Sequence, residues 1–410
     1  MPKKSLKALF IPVTAIGHVN ACIGIAESLI GAGHRATFLV NKQWEGKLRQ
    51  YGIDEIIRED PPGRATSASP ELEAGNAFKS IGLVGPGSPI DKMVAWVTEL
   101  IPFHIKCVQD MDEIIAKTVA EVQPDVIFVD RMVAMAAVER TGIPWVWVCS
   151  YNPLFQLNDD RTPPPGSGFA ANSDPKEWAV FRETVNNAVK DIWREFNDYI
   201  VANGLPPLDY CQYIRAPTHL HIYAMPSELD YTDLRPVPDR CLQLDNFMRK
   251  DAHATFKVPD QLLNKPGKLI YFGLGTLVSS DLDNIQRLLA ILAKSEHRFI
   301  VSKAPHIEDY ELPGDNMWGD WYVPQIQPMV VLPVFADQFD NAQRLHELGY
   351  GIRLDAYKCS ETELLGAIDK LLNDNELKVK LAKTSARIQS DDKIAQLPGL
   401  IEKLCDSQTK

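Results

Sequence analysis

Short apolar runs alternate with stretches of helical periodicity along most of the chain. Lys7 to Pro12 (KALFIP) is such a run, Asn20 to Ile30 then places its apolar residues at helical spacing up to Gly31 and Gly33, and Arg35 to Val40 is apolar again. That order predicts a strand, a crossover helix and a second parallel strand. Asp125 to Val129 (DVIFV), Pro144 to Cys149 (PWVWVC) and His219 to Tyr223 (HLHIY) are β-branched or aromatic runs bounded by turn residues, with helical stretches at Lys92 to Ala120 and Lys176 to Ala202 between them. The first half therefore reads as a doubly wound α/β unit. From about Pro236 to Lys268 the periodicity fades into Pro, Asp, Lys and Asn-rich sequence, the pattern of a linker.

Leu269 to Gly273 (LIYFG) opens a second series. It continues with a helix over Leu282 to Lys294, a strand over Arg298 to Val301, a short segment at Trp318 to Val323, a strand over Met329 to Pro333, and helices around Asn341 to Leu348 and Thr362 to Asn373. Ile394 to Leu404 reads as a last helix. One junction breaks the architecture: only Pro328 separates the segment ending at Gln327 from the strand at Met329, whereas consecutive parallel strands need a crossover of roughly a dozen residues.

A chain of 410 residues, 45% hydrophobic, is too long for one ordinary core and should form two domains with a cleft between them. Its formal charge of −11 and the lack of basic runs argue against a nucleic-acid or membrane-surface partner. The segment from Met1 to Leu9 is too short in apolar residues for a signal peptide, and no apolar run reaches membrane-spanning length. Seven scattered cysteines without CxxC spacing point away from disulfides and zinc sites, so the cytoplasm is the expected compartment.

His18 lies between the first strand and first helix, at the carboxyl edge where open α/β sheets bind ligands. Asp130 ends another strand on the same edge, so His18 could act as a general base with Asp130 holding its tautomer. Capping roles for both residues fit the spacing equally well. The first turn, VTAIGHVNACIG, lacks the G-x-G-x-x-G of a dinucleotide site. Gly273 to Thr276 is a better phosphate loop, since Gly275 permits close approach and the Thr276 hydroxyl can donate, although two glycines after a strand often serve only the turn. Trp321, Tyr322 and Gln325 could stack and bond a planar base, or the aromatics could be core before Pro324. Asp337 and Gln338 follow a strand and could bind vicinal sugar hydroxyls, or Asp337 could cap the next helix. No metal site is expected, because the histidines form no ligand cluster.

Together, the Gly17-His18 loop, the Gly273 to Thr276 loop, the V-P-Q of Val323 to Gln325 and the LPVFADQFDNA of Leu332 to Ala342 resemble family 1 UDP-glycosyltransferases of the GT-B fold, over essentially the whole chain. The soluble members, such as bacterial macrolide and mite enzymes, are the most similar. The resemblance implies two Rossmann-like, doubly wound domains facing a central cleft: an acceptor domain over 1–240, a donor domain over 241–393, and a C-terminal helix over 394–410 returning to the first domain. It implies His18 as base, Asp130 as its partner, Gly275 and Thr276 at the diphosphate, Trp321 or Tyr322 and Gln325 at the nucleoside, and Asp337 with Gln338 at the sugar. The chain departs from the family pattern where Ala21 replaces the Pro after G-H-x-N, and where a strand, an H-G-G turn, a diphosphate-binding helix and a ribose-binding Glu are missing between Gln327 and Pro328. Either further residues belong at that junction or it is a deletion that would cripple donor binding; the core that a missing internal strand would expose favours the first.

The implied reaction is inverting transfer, without metal or cofactor, of a sugar, expected to be glucose, from UDP-glucose as co-substrate to a small lipophilic or phenolic acceptor. The first-domain loops Pro61 to Ile90 and Tyr151 to Ser173 would build the acceptor pocket, with Ile16, Phe78, Leu83, Tyr151 and Phe155 facing the acceptor. Two rivals remain open at this level: a nucleotide-sugar epimerase of the same fold, and a non-catalytic binder of UDP-sugars or lipophiles.

Overall fold

The computed structural model describes residues 5–59, 70–157, 159–215, 218–247, 249, 257–303, 309–320 and 329–407. Seven of the strands among them form one parallel sheet: β1 (Lys7–Pro12), β2 (Arg35–Asn41), β3 (Asp54–Arg58), β4 (Val126–Asp130), β5 (Trp145–Cys149), β6 (Leu220–Ala224) and β7 (Cys241–Leu244), in the order β3-β2-β1-β4-β5-β6-β7. Order reverses between β1 and β4, the switch point at which such sheets open a crevice. The register pairs Pro12 of β1 with Asp130 of β4, so both strands end together. The first turn of the helix that follows β1, which carries His18, and the carboxylate of Asp130 are thereby delivered to one edge.

Both faces of this sheet are covered, which explains the near-continuous apolar runs. Phe10, Phe38 and Phe128 are paired across β2, β1 and β4, and their rings stack at 4.7 and 4.5 Å. This face also takes the helix Ile16–Gly31 and the C-terminal helix Lys393–Asp406, whose Leu397 and Ile401 are fully buried. The C-terminal helix thus packs on the first sheet, and Ser28 Oγ donates to the Ile394 carbonyl at 2.6 Å. Leu9, Ile11, Ile127 and Val129 line the opposite face beneath the helices that precede β4.

The second half adds β8 (Leu269–Phe272), β9 (Arg298–Ser302) and β10 (Met317–Asp320), ordered β10-β9-β8, and a separate parallel pair of β11 (Met329–Val331) with β12 (Gly351–Arg353). Helix Leu282–Leu292 buries Leu288, Leu289 and Leu292 against Phe299 and Val301. Among the described residues no strand joins β8 to β11. The junction at Gln327 and Pro328 lies outside the described residues, so its two readings stay as the sequence left them.

Several elements differ from the sequence expectation. β3 and β7 are strands of the first sheet, the latter inside the stretch expected as linker and just past residue 240. The long helix expected over Lys92 to Ala120 is divided into Pro89–Ala95, a π turn at Trp96–Leu100, Ile101–Asp110 and Asp112–Val122. Pro102, lacking an N–H, sits at the first turn of Ile101–Asp110, where it is tolerated. Asn375–Ser390 is a further helix whose largely polar sequence hid it.

Candidate active site

His18 is the third residue of helix Ile16–Gly31, and its side chain is 17% exposed. Its Nδ1 lies 3.0 Å from Oδ2 of the fully buried Asp130 and 2.9 Å from Oγ of Ser150. A carboxylate can only accept, so in the neutral ring Nδ1 carries the proton and Nε2 is left with the lone pair. Ser150 Oγ is placed to share the same N–H. It follows β5 directly, at the same carboxyl edge, and sequence reasoning missed it because a lone Ser after a strand carries no spacing signal.

An aromatic series leads away from His18. The His18 and Tyr151 ring centroids are 6.1 Å apart, Tyr151 meets Phe155 edge-on at 6.0 Å, and Phe155 meets Trp96 at 6.0 Å. Tyr151, Phe155 and Trp96 line a cavity of about 130 Å³, closed further by Met93, Phe181 and Val185. Burial pushes the Tyr151 phenol far above its ordinary range, and its oxygen accepts from Gln156 Nε2 at 2.7 Å. Of the expected acceptor residues, Tyr151 and Phe155 are in this wall. Phe78 instead packs edge-on against Phe335 at 5.3 Å, Leu83 is wholly buried with its carbonyl bonded to Lys92 Nζ, and Ile16 is 48% exposed at the helix start. Trp96, Met93 and Phe181, also in this wall, carry no distinguishing signal in the sequence, because core helices and cavity walls use the same residue types.

The residues expected on the donor side come from a different set of elements. Gly275 adopts φ +79°, which favours glycine, and Thr276 is exposed in the turn after β8. Asp337 and Gln338 open the helix Asp337–Glu347, preceded by Ala336 at φ +50°. A non-glycine residue in that region stores strain of the sort that gathers at functional sites. Asp337 Oδ2 accepts the Asn152 N–H at 3.1 Å, and Gln338 Oε1 accepts the Val334 N–H at 2.9 Å. Burial raises the Asp337 carboxyl, while hydrogen bonds and the nearby His18 oppose that shift. Trp321, Tyr322 and Gln325 lie outside the described residues.

The two sets of elements are clamped together. Asp340 accepts the N–H groups of Gly166 and Gly168 at 2.7 and 2.9 Å, Glu347 accepts that of Ala171, and Arg353 donates to the Gly168 carbonyl at 2.7 Å. Gly168 is at φ +60°, and a Cβ there would stand 3.0 Å from Arg353 and Phe339. Burial pushes the Asp340 carboxyl up to about 7 despite the two backbone donors. Among the described residues, no three His, Cys, Asp or Glu side chains gather as a metal site, and no helix is long and apolar enough to cross a membrane.

A doubly wound parallel sheet with His18 and Asp130 in contact at its switch point, together with a second α/β unit, is a GT-B architecture. The fold matches the glycosyltransferase of kitacinnamycin at a TM-score of 0.69 and 16% identity, covering 98% of this chain and 100% of that one. It matches the calicheamicin glycosyltransferase at 0.64 and 13%, covering 98% and 99%. Residues 325–397 match the family described as UDP-glucoronosyl and UDP-glucosyl transferase. A sterol 3-beta-glucosyltransferase of Vanderwaltozyma polyspora is 22% identical over 96% of this chain, which spans about a third (34%) of that relative's length. In sequence the chain is thus similar to UDP-glycosyltransferases, over residues 325–397 for the family and at 22% identity for the sterol relative, and in fold it is similar to GT-B glycosyltransferases.

Proposed function

We propose that the protein transfers a sugar, glucose by preference, from a UDP-sugar to a hydroxyl of a lipophilic acceptor, with inversion at the anomeric carbon. The observation that carries this reading is the 3.0 Å contact between His18 Nδ1 and Asp130 Oδ2, with the His18 ring 6.1 Å from that of Tyr151, which lines the apolar cavity; Nε2 would then be the acid–base atom. His18 Nε2 takes the acceptor proton as the acceptor oxygen bonds to the anomeric carbon, and the bond to UDP breaks on the opposite face. Asp130 stabilises the imidazolium without taking its proton. Residues 1–240 would bind the acceptor and 241–393 the donor, with 394–410 returning to the acceptor domain. Gly275 and Thr276 would meet the diphosphate, and Asp337 and Gln338 the sugar.

The sterol relative's name and the aromatic wall of Tyr151, Phe155 and Trp96 both favour flat, hydrophobic acceptors. The test is turnover of hydroxysterols and phenols with UDP-glucose, read by product mass and anomeric configuration. A β-glucoside gained by an acceptor supports the reading; UDP-glucose epimerised, or left intact with every acceptor, defeats it.

A further inference from the structure

Among the described residues, one cationic side chain, Arg182, lines the apolar cavity. Arg182, on the helix Pro175–Ala202, lines it together with Phe181, Val185 and Val189 of the same helix. Arg182 and Asn186, one helical turn apart, also line an open groove on the outside of that helix, bordered by Asp160, Glu183 and Tyr210. These two side chains therefore stand where the cavity meets the surface. Tyr151, which approaches His18, belongs to the cavity and not to the groove.

The Arg182 charge is only loosely matched. Its Nη2 donates to the Asp159 and Thr162 carbonyls at 3.0 and 2.6 Å, which fixes the guanidinium but does not neutralise it. Its Nε is buried without a hydrogen-bond partner, and the carboxylate opposite, Asp160, stands 3.7 Å away and is 94% exposed. The Asp159 carboxylate is committed to Arg161 through bonds of 2.9 and 2.7 Å. A guanidinium anchored by its backbone contacts, beside an apolar wall and facing a solvated acid, gains most from an anion brought in on a ligand.

We propose that the natural acceptor is an amphiphile whose reacting hydroxyl lies at the Tyr151 and His18 end of the cavity and whose far end carries an acidic group received by Arg182, with Asn186 beside it. The inference rests on the transferase reading for the hydroxyl end only. A carboxylate at the Arg182 end would replace the solvent-exposed Asp160 as its partner, and the apolar body between would be covered by Phe155, Trp96 and Phe181.

The experiment measures binding of lithocholic acid and of its methyl ester to the full chain by quenching of tryptophan fluorescence, Trp96 being in the wall. Wild type should bind the acid about tenfold more tightly than the ester. Arg182→Gln should remove that difference while leaving ester affinity within about twofold, and Arg182→Lys should keep most of it. Equal affinity for acid and ester in the wild type, failure of both to bind, or a preference that survives Arg182→Gln overturns the proposal. Transfer from UDP-glucose to either ligand is read separately: acid-selective binding with no transfer to any acceptor leaves this site standing and defeats the transferase reading instead.

Discussion

The carboxylate of Asp337 accepts the backbone N–H of Asn152 across 185 residues of sequence, so the side chain proposed to hold the donor sugar also touches the acceptor side of the cleft. Asn152 Nδ2 adds a bond to Asn341 at 2.9 Å, one turn further along the helix that Asp337 opens. Under the proposed assignment, donor recognition and approach of the two halves would share one residue.

Donor choice should depend on that arrangement. UDP-glucose is expected to exceed UDP-galactose in kcat/KM, because the inverted 4-hydroxyl would leave a buried hydrogen-bonding group unpaired, a loss of roughly 1 to 3 kcal/mol. Asp337→Asn should narrow the ratio. Equal kcat/KM for the two donors in the wild type would refute the assignment of Asp337 and Gln338 to the sugar.

Asp340 gives the clamp a pH dependence. Its carboxyl rises from 3.8 to about 7 on folding, chiefly through burial, so the folded protein holds the proton more tightly than the unfolded chain. The stability linked to this group is fully present below the unfolded value and is lost as pH rises through about 7. The slope should approach about 1.4 kcal/mol per pH unit between those limits. Urea unfolding from pH 4 to 8 should show this decline in the wild type and lack it in Asp340→Asn; parallel curves would contradict it.

Much of the first domain was legible because its buried strands announce themselves. KALFIP and DVIFV are unbroken apolar runs, and their common register places His18 beside Asp130 once the edge rule for open sheets is applied. β7 was hidden by the Pro and Asp residues around CLQL, and β12 is only three residues long. Contacts made by docking were out of reach: nothing in G-S-G at 166–168 says that two of its N–H groups will meet Asp340, since that depends on how separate elements approach. Ser150 and Trp96 look in sequence like ordinary turn and core residues, and only the fold brings them to the site.

The central claim is that His18 is the base, and its most direct test is single-turnover transfer by His18→Ala alongside UDP binding. His18 is the hydrogen-bonding partner of a buried carboxylate, so Ala leaves Asp130 uncompensated, and His18→Gln, whose amide can still donate to Asp130, is measured with it. Both variants should lose about two to four orders of magnitude in the transfer rate while UDP binds nearly as in the wild type. Transfer within a few-fold of wild type in folded His18→Gln would contradict the account.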